Sequence, residues 1–337
     1  MRIALVSTVS SPVQENAGGS VEAWTWLLTR ELKRLGHAVT VFGCAGSAVD
    51  GEHVETVPGP YGENGAFDDW QLCEWVNLCR AVEESGRFDV MHAQAYLWGT
   101  PLERMARSPM VHTLHIVPDD NAAKLWRHAP QSRVTAISHH QWINYPELRP
   151  SAVIPHGVDP GVFPFCPQPQ DYLLYLGRFV SGKGPLQAIE MTRKLGLKLV
   201  LAGPENAYFR ERVRPLVDGN SVEFVGFVRG AERSRWLGGA RALLYPIQYP
   251  EAFGLVLIEA MFCGTPVAAL RVGAVPEIVE EGVTGFTATT TDGLRAVIPK
   301  CFDLDRGRIR LAAEKRFSSA QMALAYAQLY EAIVQKK

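Results

Sequence analysis

The chain has 337 residues, 47% of them hydrophobic and 20% charged, which is length enough for two buried cores and too apolar for a disordered tail or polar repeat. Its 34 basic and 35 acidic residues leave a net charge of -1, which excludes the electrostatic footprint of a nucleic-acid or polybasic membrane protein. The balance is uneven: residues 1–160 carry 12 Lys and Arg against 18 Asp and Glu, residues 161–337 carry 22 against 17, and the second half is the better home for an anionic ligand.

Met1 leads directly into an apolar run, Ile3 to Val6, that reads as a buried strand rather than a secretory leader. A loop with Gly18 and Gly19 follows, then a helix in which Val21, Trp24, Leu27, Leu28, Leu32 and Leu35 recur at helical spacing and Gly36 ends it. Val39 to Phe42, Val90 to His92, Val111 to Ile116, Val134 to Ser138 and Val153 to Ile154 are further strands, and Pro58 to Trp70 reads as a mobile loop. Around Pro155 to Pro160 the alternation lapses, and Pro164, Pro167 and Pro169 mark a linker. It restarts with Tyr172 to Leu176, Leu199 to Ala202, Val222 to Val225, Ala242 to Tyr245 and Val267 to Leu270, each followed by a helical segment. Ser318 to Val334 is a final amphipathic helix with Met322, Tyr326, Leu329, Tyr330 and Ile333 on one side. Two such cycles predict two Rossmann-like α/β domains facing each other across a cleft. Six cysteines without C-x-x-C spacing, and no window of about 18 apolar residues, read as a reduced, soluble, cytoplasmic protein with no integral membrane segment.

The first loop lacks the G-x-G-x-x-G of a dinucleotide site, and no G-x-x-x-x-G-K-[ST] occurs. Gly18 and Gly19 read either as a phosphate seat at a helix N-terminus or as a plain turn that needs positive φ. In the second half, Gly177-Arg178-Phe179-Val180-Ser181-Gly182-Lys183-Gly184 sets two cations at the carboxyl edge of a strand, where they either neutralise a diphosphate or stand solvated. Leu255 to Cys263 is a helical run whose one polar side chain is Glu259, and a buried carboxylate needs partners: sugar or ribose hydroxyls, or an internal arginine. Glu251 lies in the loop before that helix.

Glu251 and Glu259, preceded by Gly177-Arg178 and Lys183-Gly184, resemble the retaining nucleotide-sugar glycosyltransferases of family 4, which have the two-domain GT-B fold. Gly18-Gly19, Phe88-Asp89-Val90-Met91-His92, Ile154-Pro155-His156-Gly157-Val158-Asp159 and Val272 to Phe286 match further family stretches in order, so the likeness spans nearly the whole chain. His156 stands where Asn is usual, Ala274 replaces a common glycine, and Gln94 follows Ala93 where the family often has a second histidine, a departure that bears on acceptor choice. The resemblance implies an acceptor domain over residues 1–160, a donor domain over 161–317 and a helix over 318–337 that packs on the first domain.

It also implies transfer of a hexose from a UDP-glucose or GDP-mannose type donor to an acceptor hydroxyl. Charge growing on the leaving diphosphate calls for fixed cations, the role implied for Arg178 and Lys183, with backbone N–H groups near Gly18, Gly19, Phe253, Gly254 and Leu255. Glu259 is implied to hold the ribose, Glu251 to lie beside the donor sugar, Phe227 and Val228 to flank the base, and His115 to stand near the sugar and acceptor. No cofactor beyond the nucleotide-sugar co-substrate and no metal are expected. His112 and His115, three apart on a strand, point to opposite faces and do not share an ion; Asp303-Leu304-Asp305 reads as a helix start rather than a metal motif. The acidic first half argues against attachment to anionic membranes and for a small metabolite or saccharide as acceptor. The rival reading is a GT-B-shaped protein that binds a nucleotide sugar without turning it over.

Overall fold

Strands that are apolar on both faces must be covered on both, and a parallel sheet flanked by helices does this. In the computed structural model, which describes residues 1–335, the first such sheet is built from β1 (Arg2–Val6), α1 (Ser20–Arg34), β2 (Ala38–Cys44), β3 (Glu52–Val57), α2 (Trp70–Glu83), β4 (Val90–Ala93), β5 (Met110–Thr113), α3 (Asp120–His128), β6 (Arg133–Ala136) and β7 (Ala152–Val153). Its strand order is β3-β2-β1-β4-β5-β6-β7. The pairing is parallel, and Val6 at the end of β1 aligns with Phe42 on one side and Ala93 on the other.

The second sheet uses β8 (Leu173–Leu176), α4 (Pro185–Leu195), β9 (Leu199–Ala202), β10 (Val222–Phe224), α5 (Gly230–Gly239), β11 (Ala242–Tyr245), α6 (Leu255–Phe262), β12 (Val267–Leu270), α7 (Val275–Ile278), β13 (Gly285–Ala288), α8 (Thr291–Val297) and α9 (Arg306–Phe317). Its order, β10-β9-β8-β11-β12-β13, repeats the first six-strand plan. The last helix, α10 (Ser319–Val334), belongs with the first sheet: one compact unit comprises Met1–Gly157 with the chain from Ser319 onward, the other Val158–Ser318. The units therefore divide after Gly157 and after Ser318. Backbone pairing of Val158 with Ser318, and Val158 N–H donating to the Phe317 carbonyl, closes the second unit at both of its ends.

Several boundaries differ from the sequence reading. β5 stops at Thr113 and β6 at Ala136, which leaves His115 and Ser138 in loops. Leu35 is exposed beyond the end of α1. β3 and β13 were not marked by any apolar run; both are edge strands with half-buried, mixed sequences. The stretch 58–69 has no regular structure and is held by turn hydrogen bonds, with Asp69 capping α2 through its carboxylate. Asp305 likewise caps α9, accepting from Arg308 N–H at 3.0 Å. No described helix is long and apolar enough to cross a membrane.

The core of the first unit is finished by α10. Met322, Tyr326, Tyr330 and Ile333 fall at helical spacing on its buried side and pack on α1 and the sheet. Trp24 Nε1 of α1 donates to Met322 Sδ at 3.0 Å. Fully buried His92 bonds through Nδ1 to Tyr330 Oη at 2.6 Å and through Nε2 to Thr113 Oγ1 at 2.7 Å; Tyr326 Oη reaches the same threonine at 3.1 Å. Tyr330→Phe strands one ring nitrogen of His92 in the core and is expected to cost about 1–3 kcal/mol of unfolding free energy, read from urea denaturation midpoints.

Candidate active site

In each sheet the strand order turns back at one place, between β1 and β4 and between β8 and β11, and the loops leaving those neighbours diverge to open a crevice at the carboxyl edge. In the second unit the crevice holds the two charged loops. After β8 the chain passes Arg178, buries Phe179 in the core, makes one tight turn over Ser181–Lys183 and enters α4 through Gly184 at φ +73°. A side chain at Gly184 would run into the Pro246 carbonyl, so this turn can lie against the β11 loop only with glycine there. Gln248 N–H donates to the Gly182 carbonyl at 2.8 Å across the same contact.

This docking brings Lys183 to Glu251. Lys183 Nζ donates to both carboxylate oxygens, at 2.9 and 2.7 Å, and Tyr245 at the end of β11 donates its hydroxyl to Oε2. The ammonium also lies 5.3 Å from the Tyr249 ring centre. Burial, and then the Glu251 charge, push the Tyr245 phenol well above its ordinary value, so it stays a donor. Glu251 is held from behind by the loop after β12: Ala274 N–H donates to its carbonyl at 3.0 Å, and Gly273, at φ +63°, leaves no room for a side chain against its backbone. Arg178 is exposed and makes no ion pair among the described residues.

Glu259, on α6, does have an internal partner. Arg233 of α5 donates to its Oε2 from Nε at 2.9 Å and also from Nη2. Of the two partners considered from sequence, the arginine is the one the structure supplies; no feature of the sequence separates Arg233 from the neighbouring Arg229 and Arg235. Phe227 is exposed with the Arg229 guanidinium 4.6 Å from its ring centre, whereas Val228 is buried, so Val228 can offer a ligand its backbone rather than its side chain. Phe253 is buried with its ring edge-on to Phe317, and Gly254, at φ +102°, starts α6, leaving backbone N–H groups of that helix end in the crevice loop.

The first unit's crevice is a cavity of about 340 Å³. Gly18 and Gly19 do not have positive φ, which removes the plain-turn reading. Gly19 is needed for space: a Cβ would strike the Glu22 carboxylate, and its N–H already donates to Ser11 Oγ at 3.0 Å. Glu22, 1% exposed, accepts at Oε1 from Ser10 N–H at 2.9 Å, Ser10 Oγ at 2.5 Å and Ser11 N–H at 3.3 Å. The protein's own carboxylate thus sits at the N-terminus of α1.

His115 lines this cavity and His112 does not. His112 is buried and bonded to Glu103 at 2.7 Å, while His115 donates from Nε2 to Gln94 Oε1 at 2.8 Å and stacks on His156, with ring centres 5.2 Å apart. Burial first, then neighbouring histidines, hold His115 well below its ordinary value, so it is neutral. No group of three or more His, Cys, Asp or Glu side chains among the described residues could hold a metal ion.

Nothing in the sequence pattern marks the aromatic part of the cavity's lining. Tyr61, Trp70 and Tyr96 line the cavity, with Trp70 and Tyr96 ring centres 5.6 Å apart and Tyr96 stacked on Trp98 at 5.2 Å. Tyr96 has φ +50°, a left-handed conformation that costs a side-chain-bearing residue of order 1–3 kcal/mol. Behind the wall, fully buried Glu74 accepts from Val9 N–H at 3.1 Å and from the Tyr61 hydroxyl, both at Oε1.

Two Rossmann-like units with charged crevice loops are the plan of GT-B glycosyltransferases. The model for Glycosyltransferase Family 4 matches residues 18–162, and that for glycosyl transferases group 1 matches residues 165–300. The chain belongs to glycosyltransferase family 4. A D-inositol 3-phosphate glycosyltransferase of Nocardioides sp. is 29% identical to it, over 93% of this chain and 84% of that one. Among solved structures, sucrose-phosphate synthase from Thermosynechococcus elongatus superposes with a TM-score of 0.80 at 20% identity, over all of both chains. Anabaena HepE in complex with UDP-glucose gives 0.72 at 19% identity, over 98% of this chain and 100% of that one.

Burial raises the Glu74 carboxyl from its ordinary 4.5 to about 7, against the opposing pull of Tyr61 and Val9. The native state therefore holds this proton more tightly than the unfolded chain, and the stability it contributes is complete below pH 4.5 and lost as pH rises through about 7. Glu74→Gln is expected to flatten the decline in stability over that window, measured as urea midpoints across a pH series.

Proposed function

We propose that the protein is a retaining hexosyltransferase that moves a hexose from a nucleoside-diphosphate sugar to an acceptor hydroxyl, with the donor in the second unit and the acceptor in the first. The observation that carries this is the Lys183–Glu251–Tyr245 contact at the β8/β11 crevice, with Arg178 exposed on the same loop as Lys183. As the glycosidic bond lengthens, negative charge collects on the departing diphosphate, and a cation already fixed in place stabilises it without reorganisation. Lys183 is fixed by Glu251 and by two phenol rings; Arg178 is free to close on the phosphates. N–H groups at the start of α6, from Phe253 to Leu255, add partial positive charge. Since these groups neutralise the leaving group, the reaction is metal-independent.

Glu259, held by Arg233, faces the ribose hydroxyls, and Phe227 and the Val228 backbone flank the base. UDP-glucose is the preferred donor candidate, because the Anabaena neighbour is solved with it; a GDP-mannose type donor is the alternative. Glu251 is a positioning residue for the sugar and for Lys183. With both oxygens engaged by Lys183 and one also by Tyr245, it is poorly placed to attack the anomeric carbon. A front-face route, in which the leaving phosphate takes the acceptor's proton, retains configuration without a protein nucleophile. Neutral His115, donating to Gln94, orients the acceptor side.

Lys183→Ala is expected to keep its circular-dichroism spectrum and lose about 10²–10³-fold in kcat for UDP-glucose turnover, in an assay whose rate EDTA leaves unchanged. Near-normal kcat would remove the charge-stabilisation role. A protein that binds UDP but releases no sugar from any donor of a UDP, GDP and ADP series would be a binding protein instead. His115→Asn is expected to lower kcat/KM for transfer about tenfold or more while donor hydrolysis persists; unaltered transfer kinetics would take His115 out of the site.

A further inference from the structure

The cavity of the first unit is built for a ligand, because it holds donors that the protein leaves unused. Gln94 is 2% exposed, and its amide nitrogen has no hydrogen-bond partner; neither has the hydroxyl of Thr8, which is 8% exposed. Both residues line the cavity. Buried donors without partners are costly, and sites that carry them serve ligands whose hydroxyls supply the missing acceptors. Part of the lining is aromatic, and Tyr96 keeps its ring there in a backbone conformation that L residues avoid.

The cavity offers an anion no lysine or arginine as counter-charge, and Glu22 is in its lining. Glu74, bonded to Tyr61 from behind, is held toward its neutral form by burial and supplies no positive charge either. The N-terminus of α1, which could otherwise receive an anion, already has the Glu22 carboxylate in its first turn. A phosphate monoester, with a charge of about -1.5 to -2 near neutral pH, would meet no counter-charge here and would face a buried carboxylate.

We propose that this cavity takes a phosphate-free, hydroxyl-bearing ring, a neutral pyranose or cyclitol, whose apolar face lies on Tyr61, Trp70 and Tyr96 and whose hydroxyls meet Gln94 Nε2, Thr8 Oγ1 and the Glu22 carboxylate. This deepens, and rests on, the reading of the first unit as the acceptor side. It separates this chain from relatives whose name carries an inositol phosphate. Recognition by stacking plus hydroxyl hydrogen bonds selects a ring by its pattern of hydroxyls, and a carboxylate at the floor rejects the phosphorylated form of the same ring.

The test is calorimetric titration of the full chain with two matched pairs, myo-inositol against inositol 3-phosphate and methyl glucoside against glucose 6-phosphate, and with UDP separately. The expected result is saturable binding of at least one neutral ring, with its phosphate about tenfold weaker or silent. Tyr96→Gly, which relieves the positive φ but gives up the ring contacts with Trp70 and Trp98, is titrated below its own melting transition and weakens the neutral ring about tenfold. A phosphate that binds as tightly as its neutral partner, or tighter, overturns the proposal. So does the absence of saturable binding by both neutral rings, or unchanged affinity in Tyr96→Gly. Failure to bind UDP strikes the donor reading alone and leaves the cavity result standing.

Discussion

Everything functional in this chain depends on the point where strand order reverses within each parallel sheet. Because parallel strands are joined by crossovers, a sheet that begins in its middle must grow first to one side and then to the other. The loops after β1 and β4, and after β8 and β11, therefore part company at the carboxyl edge. Polar groups can collect there without breaking the apolar interior. The same reversal, used twice, produces two crevices of different chemistry: one seats a lysine on a carboxylate, the other has one carboxylate and aromatic rings without lysine or arginine.

Charge is managed locally in both. Glu259 sits on an apolar helix and Glu251 in a half-buried loop, and each is matched by a cation from a different element of the same unit, Arg233 and Lys183. Removing one partner would leave an uncompensated charge, so these pairs fix geometry more than they add stability. The first unit solves the same problem differently. Glu22 is satisfied by two backbone N–H groups and a serine, whereas Glu74 keeps a proton that burial makes hard to lose. Two of the acids of residues 1–160, Glu22 and Glu74, thus lie in the cavity lining and behind it.

The central strands, the order of α/β units and the final helix were legible because they are apolar runs or amphipathic stripes, and burial demands those patterns. Edge strands β3 and β13 escaped because half of each faces away from the core and no apolar run is needed. Lys183 and Glu251 could be picked out from glycine-flanked charges at strand ends; their contact could not, since it depends on Gly184 and Gly273 letting two loops touch. Arg233 is one of two arginines on a short helix that a third precedes, and only packing chooses it. Tyr96 was invisible for a different reason. Nothing in Ala93-Gln94-Ala95-Tyr96 announces a left-handed tyrosine, because the strain is imposed by surroundings distant in sequence.

Gln94 in the cavity lining and α10 are connected through histidines and Trp24. His92 is bonded to Tyr330 of the final helix, Trp24 lies edge-on to His92 at 5.8 Å and to His115 at 4.9 Å, and His115 holds Gln94 at the cavity floor. Burial keeps His92 and His115 well below their ordinary values and His156 down at about 3, so the relay from helix to cavity is uncharged throughout the physiological range. A neutral chain of this kind transmits position rather than protons. Gln94 Oε1 is occupied by His115, and the amide is thereby turned so that its nitrogen, a donor, is what the cavity is offered. A histidine at position 94 would compete with His115 for the same space and could present an acceptor or a charge instead. The departure at Gln94 is therefore physically consequential: it fixes an amide donor, neutral at any pH, in the lining of the cavity.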